Sequence, residues 1–325
     1  MRTPGAIRSR HLRPIVAAAL TALPWAWFAL RDSTGGVGDV LAILFPVLMA
    51  GLVLFGIGIV GGTRQPGWLV PTGSALLVGL LATLGPWLPA DAGSVRPGAG
   101  VTVVGANVRE SREPVPALLQ ASPDVLVISE LSPRVDAALS AVYPNREVLR
   151  GGPSVGVYSR LPLRVLDRGG PDLPGMRLEV DGPDGPFLLY GLHVPRPWYT
   201  ADGSGYQATL AEHHRILTAL AARIAAERQP VVVLGDLNMP DRGRDYRQLL
   251  QTPHLVDAMR DHGTRFSSVG KWTPLLLRID HALVSSGWCG TTRGSWSCPD
   301  PTTAGSGSPS GRARPHHRFL DRCRR

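Results

Sequence analysis

The sequence predicts a mixed α/β (α+β) domain of packed sheets covered by helices, preceded by three transmembrane helices. Three observations support this. Long apolar stretches fill residues 14–88, and short β-rich runs separated by helical patterns begin at Val101. Two of those runs form a hairpin pattern, which a purely parallel doubly wound sheet would lack.

The apolar stretches are "PIVAAALTALPWAWFAL", "VLAILFPVLMAGLVLFGIGIVGG" and "WLVPTGSALLVGLLATLGPWL". Each meets or approaches the roughly 17–25 residues that cross a bilayer. Trp25, Trp27, Trp68 and Trp87 lie near their ends, as interfacial aromatics do. A signal peptide would explain the first stretch and its basic leader, but not the two that follow at once. Three buried soluble helices would demand a partner core that the remaining sequence does not offer. Arg2, Arg8, Arg10 and Arg13 precede the first span, and Arg64 separates the second from the third, which assigns both segments to the cytoplasm. An odd number of spans then carries the chain after residue 90 outside the cytoplasm. "PADAGSVRPGAG" reads as a linker. The expected organisation is a membrane region over 1–90, a linker over 91–100, a layered domain over 101–287 and an irregular basic tail over 288–325.

The formal charge of +9 resembles a nucleic-acid footprint, but its distribution argues otherwise. The first thirteen residues hold four Arg and no acid, which is +4; from Cys289 onward seven Arg face Asp300 and Asp321, which is +5. Subtracting both leaves the intervening chain neutral, so the basic balance says little about what the domain binds. Cys289, Cys298 and Cys323 also lie in the tail, which excludes a disulfide framework or a cysteine metal site from the domain.

Within the domain, "VTVVGANV" and "DVLVISEL" read as strands separated by a helix, "EPVPALLQAS". "GVYSRLPL" follows. "RLEVDG" and "GPFLLYGLHV" then alternate around an Asp-Gly-Pro-Asp-Gly turn, a hairpin signal. "GYQATLAEHHRILTALAARIAAE" places Leu210, Leu217, Leu220 and Ile224 at helical spacing. "PVVVLGDLN" and "LLLRIDHALVSS" complete the strands.

Polar residues punctuate these strands. Asn107 follows "VVGA", Glu130 follows "VLVIS", His193 follows "LLYGL", Asp236 and Asn238 follow "VVVLG", and Asp280 interrupts "LLLRI" before "ALV". Any one of them has an ordinary structural explanation, such as a turn cap. Five strand endings of this kind, gathered at one sheet edge, would form a cluster of hard oxygen donors with one imidazole. Mg²⁺ and a phosphate need such a cluster.

The series "GANV", "DVLVISEL", "GVYSRLPL", "GLHVPRP", "VVLGDLN" and "RIDHALVS" resembles the endonuclease/exonuclease/phosphatase superfamily over about 101–287. The resemblance implies a four-layer αββα sandwich of two mostly antiparallel sheets. It also implies a membrane-anchored phosphoesterase that hydrolyses a phosphodiester or phosphomonoester by metal-assisted attack of water. By that resemblance Glu130 is the principal ligand of Mg²⁺ or Mn²⁺, with Asn107 and Asp236 beside it. Asp236 orients or deprotonates the attacking water, Asn238 holds water and phosphate, and Asn107 and His193 contact substrate. Asp280 orders the site from behind. Tyr158 and Arg160 are expected to be structural or at the rim, and His281 strand filler. The implied substrate is a phosphate ester of nucleic acid or of a phospholipid headgroup, met at the membrane; "PRPWYTADGSGYQ", with Trp198 and Tyr199, is the expected specificity loop.

The family pattern ends with a further strand and a Ser/Pro-Asp-His motif, and no such motif follows "RIDHALVSSG". With GC-rich codons and suitably chosen third bases, reading Trp288 to Ser306 two nucleotides out of phase gives a strand followed by Pro-Asp-His. A frameshift near Gly287, in the gene or in its sequencing, would account for this. The alternative function is accordingly a catalytically impaired member that acts as a binding protein or is a pseudogene product.

Overall fold

The computed structural model describes residues 4–63, 66–85, 101–198, 205–252, 255–259, 276–285, 288–290 and 320–322. The chain forms two compact units, one built on the N-terminal helices and one on the chain from Val101 onward.

The first unit contains α1 (Pro4–Leu30), α2 (Gly35–Thr63), a 3-10 turn (Pro66–Trp68) and α3 (Leu69–Leu84). Trp27 stacks on Phe45 with ring centroids 3.9 Å apart. Gly79 brings α3 close to α2: a Cβ there would meet the Met49 Cβ at 3.2 Å. Leu23, Leu54, Ile57 and Val70 remain exposed, an apolar periphery of the kind that a bilayer covers. Gly35–Gly58 and Pro66–Leu84 are long and apolar enough to cross a membrane. Among the described residues two segments pass that test where the sequence pattern predicts three, and the first predicted span contributes a shorter apolar helix, Ile15–Leu30.

The second unit holds β1 (Val103–Asn107), α4 (Val115–Ala121), β2 (Val125–Ser129), α5 (Pro133–Ser140), β3 (Asn145–Leu149), β4 (Val155–Ser159), β5 (Leu163–Arg168), β6 (Gly175–Gly182) and β7 (Gly185–His193). It continues through α6 (Leu210–Ala225), β8 (Val231–Asp236), α7 (Arg244–Leu250), β9 (Val256–Asp257), β10 (Asp280–Val284), β11 (Trp288–Gly290) and β12 (Leu320–Arg322). One sheet has the order β11-β12-β1-β2-β4-β3, the other β5-β6-β7-β8-β10-β9. Pairings among the described strands are antiparallel except β1–β2 and β7–β8. Each parallel pair is joined by a helix, α4 or α6, because parallel neighbours need a crossover.

Alternation along the strands sorts the apolar residues into three layers of contact. Val103, Val125, Val127, Val155 and Val157 of the first sheet face Leu178, Phe187, Leu189, Val232 and Leu234 of the second. Leu126, Ile128 and Tyr158 turn outward onto Leu118, Val135 and Leu139 of α4 and α5. Leu188, Tyr190 and Val233 turn outward onto Leu217, Leu220 and Ile224 of α6 and Leu249 of α7. The order helix, sheet, sheet, helix is the expected four-layer sandwich. Thr209 caps α6 in a capping box with Glu212.

Several local readings change. "GVYSRLPL" divides at Arg160-Leu161-Pro162 into β4 and β5, which belong to different sheets. The last predicted strand starts only at Asp280, with Leu276–Ile279 leading in without strand pairing. The tail is not wholly irregular. Leu320 of β12 pairs with Val103, and β11 pairs with β12. Backbone groups of an open sheet edge accept a strand of any composition, which explains why no apolar period announced it. Residues 291–319, and with them most of the proposed frameshifted segment, lie outside the described residues.

A buried ionic network ties the loop after β8 to the lead-in of β10. Arg278 is fully buried and donates through Nε to Asp241 Oδ2 at 3.1 Å, through Nη2 to Tyr246 Oη at 3.2 Å, and through Nη2 to Asp257 Oδ2. The Tyr246 hydroxyl donates to Asp257 Oδ2 at 2.7 Å. Burial alone would raise Asp257, but the Arg278 guanidinium prevails and lowers its pKa to about 2. A depressed carboxylate stabilises the fold above its unfolded pKa and loses that contribution as pH falls through the folded value. The Asp257 contribution is therefore complete above about pH 4 and disappears toward pH 2. Replacement Asp257→Asn should lower stability near neutral pH by about 3–5 kcal/mol. Denaturant titrations between pH 5 and pH 2 should find the variant less acid-sensitive than the wild type in that window.

Candidate active site

The parallel register brings four strand ends to one edge. Asn107 is opposite Ser129, and His193 is opposite Asp236. Asp280 faces Asp236 from the antiparallel side. The six residues singled out in the sequence therefore converge, three of them as one row across the second sheet: His193, Asp236, Asp280.

Contacts across the seam between the sheets hold the edge together. Asn107 Nδ2, from the first sheet, donates to Glu130 Oε1 at 2.9 Å and to Asp236 Oδ2 of the second sheet at 2.8 Å. Its Oδ1 accepts the Arg109 N–H at 3.0 Å. One residue deeper, Ser129 Oγ donates to the Leu192 carbonyl at 3.2 Å and accepts the Asp236 N–H at 3.4 Å.

Backbone geometry aims the side chains. Glu130 has φ 53° and Asn238 has φ 47°, in the left-handed region that costs an L-residue about 1–2 kcal/mol. Asn accepts that conformation more readily than Glu, so the strain at Glu130 marks a position where direction outweighs comfort. Before Asp236, Gly235 has φ 142°, and a Cβ there would stand 1.9 Å from the Leu192 carbonyl oxygen. The glycine of GDLN is thus required by close backbone approach.

Asp236 is almost completely buried. Burial pushes its carboxyl well above the usual carboxylate range, and the Asp280 and Glu130 carboxylates push the same way; the Asn238 N–H and Asn107 amide oppose them. Such crowding of negative charge is relieved by a cation. Glu130, His193 and Asp236 each offer one ligand atom, and these lie within 4.8 Å of one another. Two carboxylate oxygens and an imidazole nitrogen fit a divalent ion that prefers hard donors. Asn107 also fits, because its NH₂ now lies between the carboxylates and a half-turn of the amide would present Oδ1 there instead.

His193 is buried, and burial pushes its imidazole below the ordinary histidine range against the opposing pull of Glu130, the Pro153 carbonyl and Asp280. Nδ1 lies 2.6 Å from the Pro153 carbonyl oxygen and so carries the hydrogen, which leaves the Nε2 lone pair for a ligand or a proton. Tyr206 meets the ring edge-on at 5.5 Å. Asn238 donates its backbone N–H to Asp236 Oδ1 at 2.9 Å and its Nδ2 to the Val194 carbonyl at 2.9 Å. It therefore holds Asp236 through its backbone.

Tyr158, Arg160 and His281 each have a partner within the fold. Tyr158 is buried and donates to Asp136 Oδ1 at 2.9 Å; Arg160 donates to Ser122 Oγ at 2.8 Å; His281 Nε2 meets the Met239 carbonyl at 2.9 Å. Trp198 is described, but Tyr199 of the expected specificity loop lies outside the described residues. Sequence reasoning missed Ser129, the Pro153 carbonyl, and the charged residues Asp241, Asp245 and His213 behind GDLN. The closely spaced charges of "PDRGRD" were the available signal.

Replacement Gly235→Ala should destabilise the domain by roughly 3 kcal/mol or more, since positive-φ strain adds to a backbone clash. Thermal unfolding of the purified variant checks this, with Gly169→Ala, where neighbours leave room at 3.5 Å, as a milder control.

No curated protein sequence matches the chain. Among solved structures, similarity is found to an endonuclease/exonuclease/phosphatase from Beutenbergia cavernae DSM 12333, with 19% identity, 70% of this chain and 72% of that chain covered, and a TM-score of 0.46. It is also found to the 3' phosphatase NExo from Neisseria bound to a product DNA hairpin, with 17% identity, coverage of 69% and 99%, and a TM-score of 0.46. A family protein from Bacteroides thetaiotaomicron shares 14% identity, with coverage of 71% and 96% and a TM-score of 0.44. The sequence profile described as "Endonuclease/Exonuclease/phosphatase family" matches residues 104–310. That match spans well over half of the chain, and the protein belongs to the endonuclease/exonuclease/phosphatase family.

Proposed function

We propose that the protein is a membrane-anchored, Mg²⁺-dependent phosphoesterase, Mn²⁺ being an equivalent ion, that hydrolyses a phosphate ester by attack of water. One observation carries the reading: Asn107 joins Glu130 to Asp236 across the seam, with His193 beside the two carboxylates. When bound, the cation neutralises charge on the phosphoryl oxygens and polarises water. Glu130, Asn107 and Asp236 would hold it. Asp236, fixed at the end of β8, orients the attacking water and accepts its proton. Asn107, Asn238 and His193 contact the phosphate, and Asp280 orders Asp236 from the neighbouring strand.

The anchor is a multi-pass segment in the cell membrane; with three spans the arginine distribution sets the domain outside the cytoplasm, and with two it keeps the domain inside. Phospholipid headgroups and nucleic acid both offer the required ester. The neutral middle of the chain argues for the lipid, because phosphate-backbone affinity rests on Lys and Arg. A second reading has its own support. No Pro-Asp-His motif follows Val284 in the sequence, so this chain is an impaired member if a shift of reading frame removed it.

Purified full-length protein in detergent, assayed with Mg²⁺ on bis-p-nitrophenyl phosphate, DNA and sphingomyelin, separates these readings. The main proposal expects hydrolysis that EDTA abolishes and that Glu130→Ala and Asp236→Ala each reduce by about 10²–10⁴-fold. Undiminished activity in both variants would overturn it. Activity that appears only after the shifted frame is restored would select the second reading.

A further inference from the structure

Behind GDLN lies a pair that the site described above does not use. His213, in the first turn of α6, is 2% exposed, and Asp245, in the first turn of α7, is 6% exposed. His213 Nδ1 lies 3.1 Å from Asp245 Oδ2, and His213 Nε2 lies 3.2 Å from the carbonyl oxygen of Leu237. His214 Nδ1 takes the other carboxylate oxygen, Oδ1, at 2.5 Å. Leu237 stands between Asp236 and Asn238, and its carbonyl shares a peptide plane with the Asn238 N–H. That N–H donates to Asp236 Oδ1 at 2.9 Å.

The partners of His213 orient its ring. The Leu237 carbonyl can only accept, so Nε2 carries a hydrogen. Burial would raise the Asp245 carboxyl, but His213 and His214 hold it below the usual carboxylate range. Asp245 meets the other ring nitrogen, Nδ1, and so orients the imidazole whose Nε2 donates to Leu237. The Leu237 N–H is gripped from the opposite side by the Ile279 carbonyl at 2.9 Å, in the lead-in to β10.

We propose that His213, oriented by Asp245, is a positioning residue that fixes the Leu237–Asn238 peptide plane and through it the aim of the Asp236 carboxylate. The chain of bonds runs Asp245, His213, Leu237 carbonyl, Asn238 N–H, Asp236. Hydrogen bonds in such a series polarise one another, so donation to the carbonyl strengthens the N–H that holds the reacting group. A buried ion pair contributes little net stability compared with apolar residues of the same volume. Its presence here has a geometric explanation: Asn238 sits at φ 47°, and the peptide before it needs a partner on each side to hold that turn.

This inference rests on the phosphoesterase reading for its catalytic consequence, but not for its structural core. The experiment compares wild-type full-length protein with His213→Leu, His213→Gln and Asp245→Asn. Two measurements are made on each: steady-state kinetics with Mg²⁺ on bis-p-nitrophenyl phosphate, and hydrogen exchange of the segment holding the Asn238 amide. Gln retains a donor for the Leu237 carbonyl, whereas Leu does not. His213→Leu should lower kcat by about 10–100-fold, the range of supporting-residue effects, with KM within about twofold, and should speed exchange at Asn238. His213→Gln should recover most of both losses, and Asp245→Asn should fall between. Unchanged kcat and exchange in folded His213→Leu would overturn the proposal, as would equal losses in the Leu and Gln variants that merely track their thermal unfolding. If wild-type protein is inactive on every substrate, the phosphoesterase reading fails, and the exchange measurement still decides whether His213 holds the peptide. Should His213→Leu not fold, the contrast of His213→Gln with Asp245→Asn against wild type answers the same question.

Discussion

The amide of Asn107 bridges the two sheets at the edge where like charges meet. Glu130 follows β2 of the first sheet and Asp236 ends β8 of the second, and both carboxylates accept from one Nδ2. Without a donor or a cation between them, two carboxylates this close repel, and the seam between the sheets would open where it now closes. The aliphatic interior between the sheets supplies cohesion but no direction. Ser129, with one bond to Leu192 and one from Asp236, fixes the same seam one residue deeper. The architecture thus ends in a small polar knot, and the chemistry of the knot follows from which strands end there.

Strain and compensation are distributed accordingly. Glu130 and Asn238 adopt left-handed backbone, and Gly235 allows β8 to approach Leu192. These departures from regular geometry need partners that tolerate no slack. Arg278 with Asp241, Asp257 and Tyr246 anchors one side of the loop after β8, and His213 with Asp245 anchors the other. The charged groups buried in the second unit gather largely around this loop, while the facing sheets are packed with Val and Leu. Ionic burial of this kind confers uniqueness of geometry more than free energy.

Much of this was legible in the sequence because strands with both faces covered read as unbroken apolar runs, and "VLVIS" and "VVVLG" are such runs. A polar residue that ends such a run must lie at a sheet edge, which is how Asn107, Glu130, His193 and Asp236 could be grouped before any contact was known. Edge elements were less legible. β3, "NREVL", is half polar at the edge of its sheet among the described strands, and α5 and α7 are too short to develop a helical period. Register was not legible at all. That His193, Asp236 and Asp280 form one row depends on pairing, and pairing depends on the whole sandwich. Nor could His213 be assigned: in the helix it occupies an inward position like Leu217, and its partner Asp245 lies 32 residues away in sequence. In the N-terminal unit, apolar composition suggests three spans, and among the described residues two helices are long and apolar enough to cross a membrane.

The central claim is that the polar edge shared by the two sheets is a cation site. Crystals of the protein soaked in Mn²⁺ and measured at the manganese absorption edge test it most directly. The account predicts one anomalous peak between Glu130 and Asp236, about 2.1 Å from their oxygens, with the Asn107 amide turned so that Oδ1 faces the ion. A peak elsewhere, or none, with Asn107 Nδ2 still bridging the two carboxylates, would contradict it.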